Sequence, residues 1–154
     1  MDVLEYKKSE LQKIAQKLDK DYYPVTKTLC NNAYVQATWL YENSSEVMGD
    51  NTRLFRELHD KTSQHIELCS AILHASFDTF SDERIADCIN AVFLSQQDVK
   101  HVLDEIAEKK VFEQNSKDDM LGNLRIKMTV INNILAEIFK IETEKIIPLL
   151  KEEF

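Results

Sequence analysis

The sequence predicts an all-α protein, an up-and-down bundle of four to five long antiparallel helices. Three observations point there. The chain of 154 residues contains only two glycines and two prolines. Glycine supplies positive φ to turns and proline presets them, so a β-rich domain of this length uses more of both. Apolar residues recur at helical spacing along the whole chain. The connections between the periodic segments are short, which makes neighbours antiparallel. Length and composition fit a single helical-bundle domain over 1–154, large enough to bury roughly 68–70% of the surface its unfolded chain exposes.

The first segment covers about residues 2–21, with Leu4, Leu11, Ile14 and Leu18 on one stripe. Pro24 suits the first position of a new helix, where its missing N–H is harmless. That second helix reads to about Val47, on Val25, Leu29, Ala33, Leu40 and Val47. Gly49 fits a left-handed helix end, and Asp50 or Asn51 can cap the next helix. This third helix, about 52–76, is expected to bury Phe55, Leu58, Ile66, Cys69, Ile72 and Leu73. Thr79 or Ser81 caps a fourth, whose stripe is Ile85, Cys88, Ile89, Val92, Val99, Leu103 and Ile106. Ser116 and Asp119 form a weak capping box for the last helix. It continues on Leu124, Ile131, Leu135, Ile138 and Leu149 and is bent or ended by Pro148. Its apolar residues cover about 200° of the circumference at 100° per residue, which suits a central helix or one that also meets a second copy.

The formal net charge of −8 sets phosphate backbones and anionic lipid surfaces against this chain, because repulsion replaces counterion release. No nucleic-acid or membrane partner is expected. The N-terminal stretch lacks the apolar core of a signal peptide, and no apolar run approaches the roughly 20 residues of a membrane span. Cys30, Cys69 and Cys88 are odd in number and lack CxxC spacing. The expectation is a cytoplasmic protein whose free thiols act as small core residues.

Three of the four histidines fall between Arg56 and His74. His65 lies inside the apolar arc of its helix, between the directions of Leu58 and Ile72, while His59 sits at the opposite edge. The two are about 120° apart at 100° per residue, so one ion could hardly use both. His74 falls on the polar side. His101, with Asp98 and Glu105 in reach on its own helix, points away from the apolar stripe and reads as a solvated face.

Polar residues inside apolar arcs carry more information. Asn32, Gln36 and Asn43 lie near the centre of the second stripe, Gln96 within the fourth and Glu142 within the last. A buried carboxylate needs a partner or a proton. Levelling antiparallel hairpins at residues near 50, 79 and 114 puts Asn32, Cys69, Cys88 and Glu142 in one layer, with Gln36 and His65 a turn away. These six are the candidate ligand-binding residues. Thiolate, imidazole and carboxylate can hold a transition metal, or the layer can line a small-ligand pocket. Inward Asn and Gln also fix register without binding anything.

The stretch EIFKIETEKIIPLL resembles the closing helix of hemerythrin-like HHE domains, in which acidic residues precede an apolar-Pro-Leu ending. The resemblance implies a metal-binding bundle. The position at which that pattern has a histidine is Ile138 here, and no His-x-x-x-His or His-His-x-x-Glu-Glu accompanies it, which argues against an ordinary oxygen-carrying di-iron site.

For an enzyme the sequence offers neither a phosphate-binding glycine loop nor a nucleophile elbow. The expected function is therefore a non-enzymatic interaction module, an adaptor or regulator that binds another protein or itself and needs no cofactor. Tyr22, Tyr23, Trp39 and Tyr41 supply aromatic surface of the kind enriched in interfaces, with Trp39 expected to turn into the core. The alternative is a metal- or small-ligand-binding bundle built around the polar layer.

Overall fold

A computed structural model describes residues 2–43, 51–75, 81–109 and 119–151. These residues form four long helices and, among them, no strand. Helix α1 spans residues 3–43 as an α-helical stretch Val3–Lys17, a π-helical segment Leu18–Tyr22 and a second α-helical stretch Tyr23–Asn43. Helix α2 is Thr52–Leu73 and α3 is Asp82–Glu108. Helix α4 spans residues 119–151 as Asp119–Ile141, a π-helical segment Glu142–Ile146 and Ile147–Lys151. None of these helices is long and apolar enough to cross a membrane.

The four run up, down, up and down. Tyr34 of α1 lies against His59 of α2, and Asp19 against His74, so these two are antiparallel. The α2–α3 hairpin brings Ser95 to His65. Helix α3 faces α4 in the opposite sense, with Gln96 at Glu142 and Ile85 and Ile89 beside Leu150. Helix α4 returns along α1, where Glu144 and Leu149 share a groove with Tyr6 and Ile14. The shared core contains Leu18, Leu40, Leu58, Val99, Leu124, Ile131 and Ile138, all fully buried.

The expected boundary between the first two helices does not exist. The chain passes through it as a π turn, and Pro24 stands inside a continuous helix. Pro148 stands in the same relation to the second π segment. In each case the segment ends two residues before the proline. The cause is common to both. Proline has no N–H, and its ring crowds the carbonyl four residues earlier. A wider i→i−5 turn just upstream relieves that crowding without ending the helix. The bonds that close these turns are Tyr23 N–H to the Leu18 carbonyl and Ile147 N–H to the Glu142 carbonyl.

A π turn holds one extra residue, so it moves the apolar stripe. Buried positions on α1 step by three or four until Leu18, then by five to Tyr23, and then continue at Thr26, Cys30, Ala33, Ala37 and Leu40. Of the expected stripe, Ala33 and Leu40 are buried, whereas near the π turn Thr26 and Cys30 point inward in place of Val25, which is exposed, and Leu29, which is half-buried. Trp39, expected in the core, is 44% exposed, because the corrected stripe turns it outward. The wide apolar arc of α4 is likewise split. Its inner half is core, whereas Ile126 and Val130 face outward.

Among the helix ends, Asp2 accepts from Glu5 N–H and Ser81 from Arg84 N–H, as N-caps do. Asn51 occupies the cap position of α2 without a side-chain hydrogen bond. The expectations placed on Val47, Gly49, Asp50, Thr79 and Ser116 lie outside the described residues, as do the side chains of Leu4 and Asn43.

Candidate metal centre

His65 and Cys69 lie one turn apart on the inner face of α2 and must therefore point the same way. Glu142 opens the π segment of α4 and meets them from across the core. His65 and Glu142 have no exposed surface, Tyr23 and Cys69 almost none. The imidazole Nε2 is 2.8 Å from both carboxylate oxygens of Glu142. Each oxygen has a second partner. The Gln96 amide donates to Oε1 at 2.9 Å and the Tyr23 hydroxyl to Oε2 at 3.1 Å. The Cys69 sulfur is 3.5 Å from Nε2. On the far side of the ring, His65 Nδ1 lies 2.8 Å from Ser95 Oγ. Phe139 stacks edge-on against the imidazole, with centroids 5.2 Å apart.

Burial sets the electrostatics. Desolvation, then the nearby Glu142 charge, holds the Cys69 thiol well above its ordinary pKa. The Tyr23 phenol is raised by the same two causes, with Cys69 adding to them. Both groups keep their protons in the absence of a cation. Nε2, the Cys69 sulfur and a Glu142 oxygen lie within 4.8 Å of one another, and this is a donor set for a metal ion.

Of the six candidate residues, the structure brings three together: His65, Cys69 and Glu142. Asn32 is exposed. Gln36 is half-buried, with a buried Oε1 that has no hydrogen-bond partner. Tyr34 faces His59 and Asp19 faces His74, so Cys69 is level with residues near 24 rather than with Asn32. Asn32 and Gln36 are displaced along α1 from Tyr23 by about 14 and 20 Å at 1.5 Å per residue. Cys88 is half-buried on the core edge, about 12 Å along α3 from Gln96 at the same rise. Gln96 takes the place in the layer that Cys88 was expected to fill.

Sequence reasoning placed Gln96 inward without giving it a partner. It missed Ser95, and it assigned Tyr23 to an aromatic surface. The five-residue step from Leu18 to Tyr23, followed by Pro24, is the signal that points Tyr23 inward. The other three histidines are peripheral. His74 pairs with Asp19, His101 with Glu105 and His59 with Asp60.

The three thiols differ in a testable way. Burial pushes the Cys30 thiol up to about 11, with the neighbouring Thr62 hydroxyl acting the other way. Cys69 is raised for the reasons above, while Cys88 is only half-buried. Native protein at pH 8 is expected to be alkylated quickly at Cys88 alone, and at all three positions in denaturant, as read by mass spectrometry. Equal native rates at Cys30 and Cys88 would contradict this packing. The pH effect has a definite sign. A raised folded-state pKa means that the contribution of the neutral Cys30 thiol is complete below about 9 and is lost as pH rises towards 11.

No protein-family model, no curated protein and no solved structure matches this chain.

Proposed function

We propose that this chain is a helical bundle that binds one divalent transition-metal ion through His65, Cys69 and Glu142. One observation carries the reading: imidazole, thiol and carboxylate donors converge within 4.8 Å in the buried centre of the bundle. The mixed nitrogen, sulfur and oxygen set suits Zn²⁺ and ions of similar softness. Typical zinc–sulfur and zinc–nitrogen bonds at a tetrahedral angle separate the two donors by about 3.6 Å, against the 3.5 Å found. The 2.8 Å between imidazole and carboxylate is a hydrogen-bond distance. An ion there replaces the proton and pushes the carboxylate back by about half an ångström. Ser95 Oγ, 2.8 Å from Nδ1, can accept its proton when Nε2 holds an ion, and so supplies the outer partner that a metal-bound histidine needs.

A second reading, an interaction module or homo-oligomer, is favoured by apolar side chains on the outer faces of α1 and α4. Val35 is 58% exposed and Ile126 65%.

Elemental analysis and native mass spectrometry of protein purified without chelator test both readings. One Zn²⁺ per chain is expected, with loss of the ion in Cys69→Ala and in His65→Ala. A wild-type protein that retains no ion and takes up neither Zn²⁺ nor Co²⁺ at micromolar concentration overturns the metal reading. A native mass of one chain at high concentration removes self-association.

A further inference from the structure

On the footing of that metal-binding reading, we infer that Glu142 chelates the ion through both oxygens and that Tyr23 and Gln96 act as positioning residues. This gives a closed, charge-neutral site with no place for a substrate. The carboxylate is presented side-on. Its two oxygens are equidistant from His65 Nε2, at 2.8 Å each. A carboxylate committed to one oxygen turns that oxygen towards its partner and leaves the other free. Here each oxygen has its own outer donor, Gln96 Nε2 on Oε1 and the Tyr23 hydroxyl on Oε2. The donors come from α3 and α1, so the carboxyl plane is gripped from two sides.

Two oxygens, one nitrogen and one sulfur make four protein donors. A metal site with four protein donors and no solvent position is structural or sequestering, whereas a catalytic one keeps a position open. The surroundings agree. His65 and Glu142 are fully buried. The grooves beside Lys8 and Leu73 and beside Ile85 and Leu150 are lined by none of the three donor residues.

Charge decides the class of ion. A thiolate and a carboxylate together carry two negative charges, which a divalent ion cancels while Tyr23 keeps its proton and goes on donating to Oε2. Uncompensated charge in an apolar interior is expensive. A trivalent ion leaves the centre positive unless the phenol ionises, and a monovalent ion leaves it negative.

Cobalt(II) is the probe. The wild-type protein is expected to take up one Co²⁺ per chain, with a thiolate charge-transfer band and the intense visible bands of four-coordination. Added azide or imidazole, which fill any open position, should leave that spectrum unchanged. Tyr23→Phe and Gln96→Met each free one carboxylate oxygen. They should keep the thiolate band, bind Zn²⁺ on the order of 10–100-fold more weakly in competition with a chromophoric chelator, and make the cobalt spectrum azide-sensitive. A merely structural role for Tyr23 and Gln96 changes stability and leaves azide sensitivity where it was. An azide-sensitive wild-type spectrum, or azide-insensitive Tyr23→Phe and Gln96→Met spectra, overturns the closed chelate and leaves the metal-binding reading standing. Absence of any cobalt–thiolate band in the wild type overturns both.

Discussion

Glu142→Ala is expected to destabilise the metal-free fold by about 3–5 kcal/mol, the cost of removing one partner from a buried pair. Three donors aim at this carboxylate: His65, Gln96 and Tyr23. Alanine leaves all three in a dry core without an acceptor, and each unsatisfied group costs about 1–3 kcal/mol. Glu142→Gln separates charge from shape. Its carbonyl oxygen can still accept, but its NH₂ faces a donor wherever it turns, so this variant is expected to lie between alanine and wild type. Denaturant midpoints measured in chelator at pH 7 make the comparison. A Glu142→Gln protein as stable as the wild type, or more so, would mean that the carboxylate is buried without these partners.

Ile138→Ala is expected to cost about 2–5 kcal/mol through lost apolar transfer and the cavity left behind. Ile138 is fully buried one turn before Glu142, on the same inner face of α4. Ile131, also fully buried, lies two turns further back and gives the same expectation for the fold at a greater distance from the carboxylate. If either alanine variant unfolds at the wild-type denaturant midpoint, α4 does not supply the central packing surface. The two substitutions also separate core from site. The Ile131→Ala protein is expected to keep the wild-type affinity for Zn²⁺, and the Ile138→Ala protein to lose part of it along with the shelf beneath Glu142.

The helical class was legible because periodicity is local. A stripe needs only the residues of its own helix, and His65 and Cys69 share a face whatever packs against them. Glu142 could be placed inward for the same reason. Partners across the core depend instead on the register between helices. The α2–α3 hairpin was levelled nearly correctly, with Cys69 near residue 89 expected and His65 beside Ser95 found. The α1–α2 pair was wrong by about two turns, since Asp19 rather than a residue near 27 meets His74. Nothing in a helical stripe reports that offset. A uniform 100° per residue also cannot represent a π turn. A uniform period therefore turns Tyr23 to the surface and starts a helix at Pro24, whereas the five-residue step from Leu18 to Tyr23 carries the stripe inward.

The two π turns have a consequence for how this chain can change length. Deleting one residue from the middle of an ordinary α-helix swings everything beyond it by about 100° and sends a core face into solvent. Each of these helices already carries a surplus residue. A chain that lost one position among Asp19–Asp21, or one among Thr143–Lys145, would close an α turn there and keep the apolar stripes on both sides aligned. It would surrender the relief of the carbonyl beside Pro24 or Pro148 and bend at that point instead. Descendants of this sequence can therefore differ by a single-residue gap on either side of the polar centre and still fold around the same core.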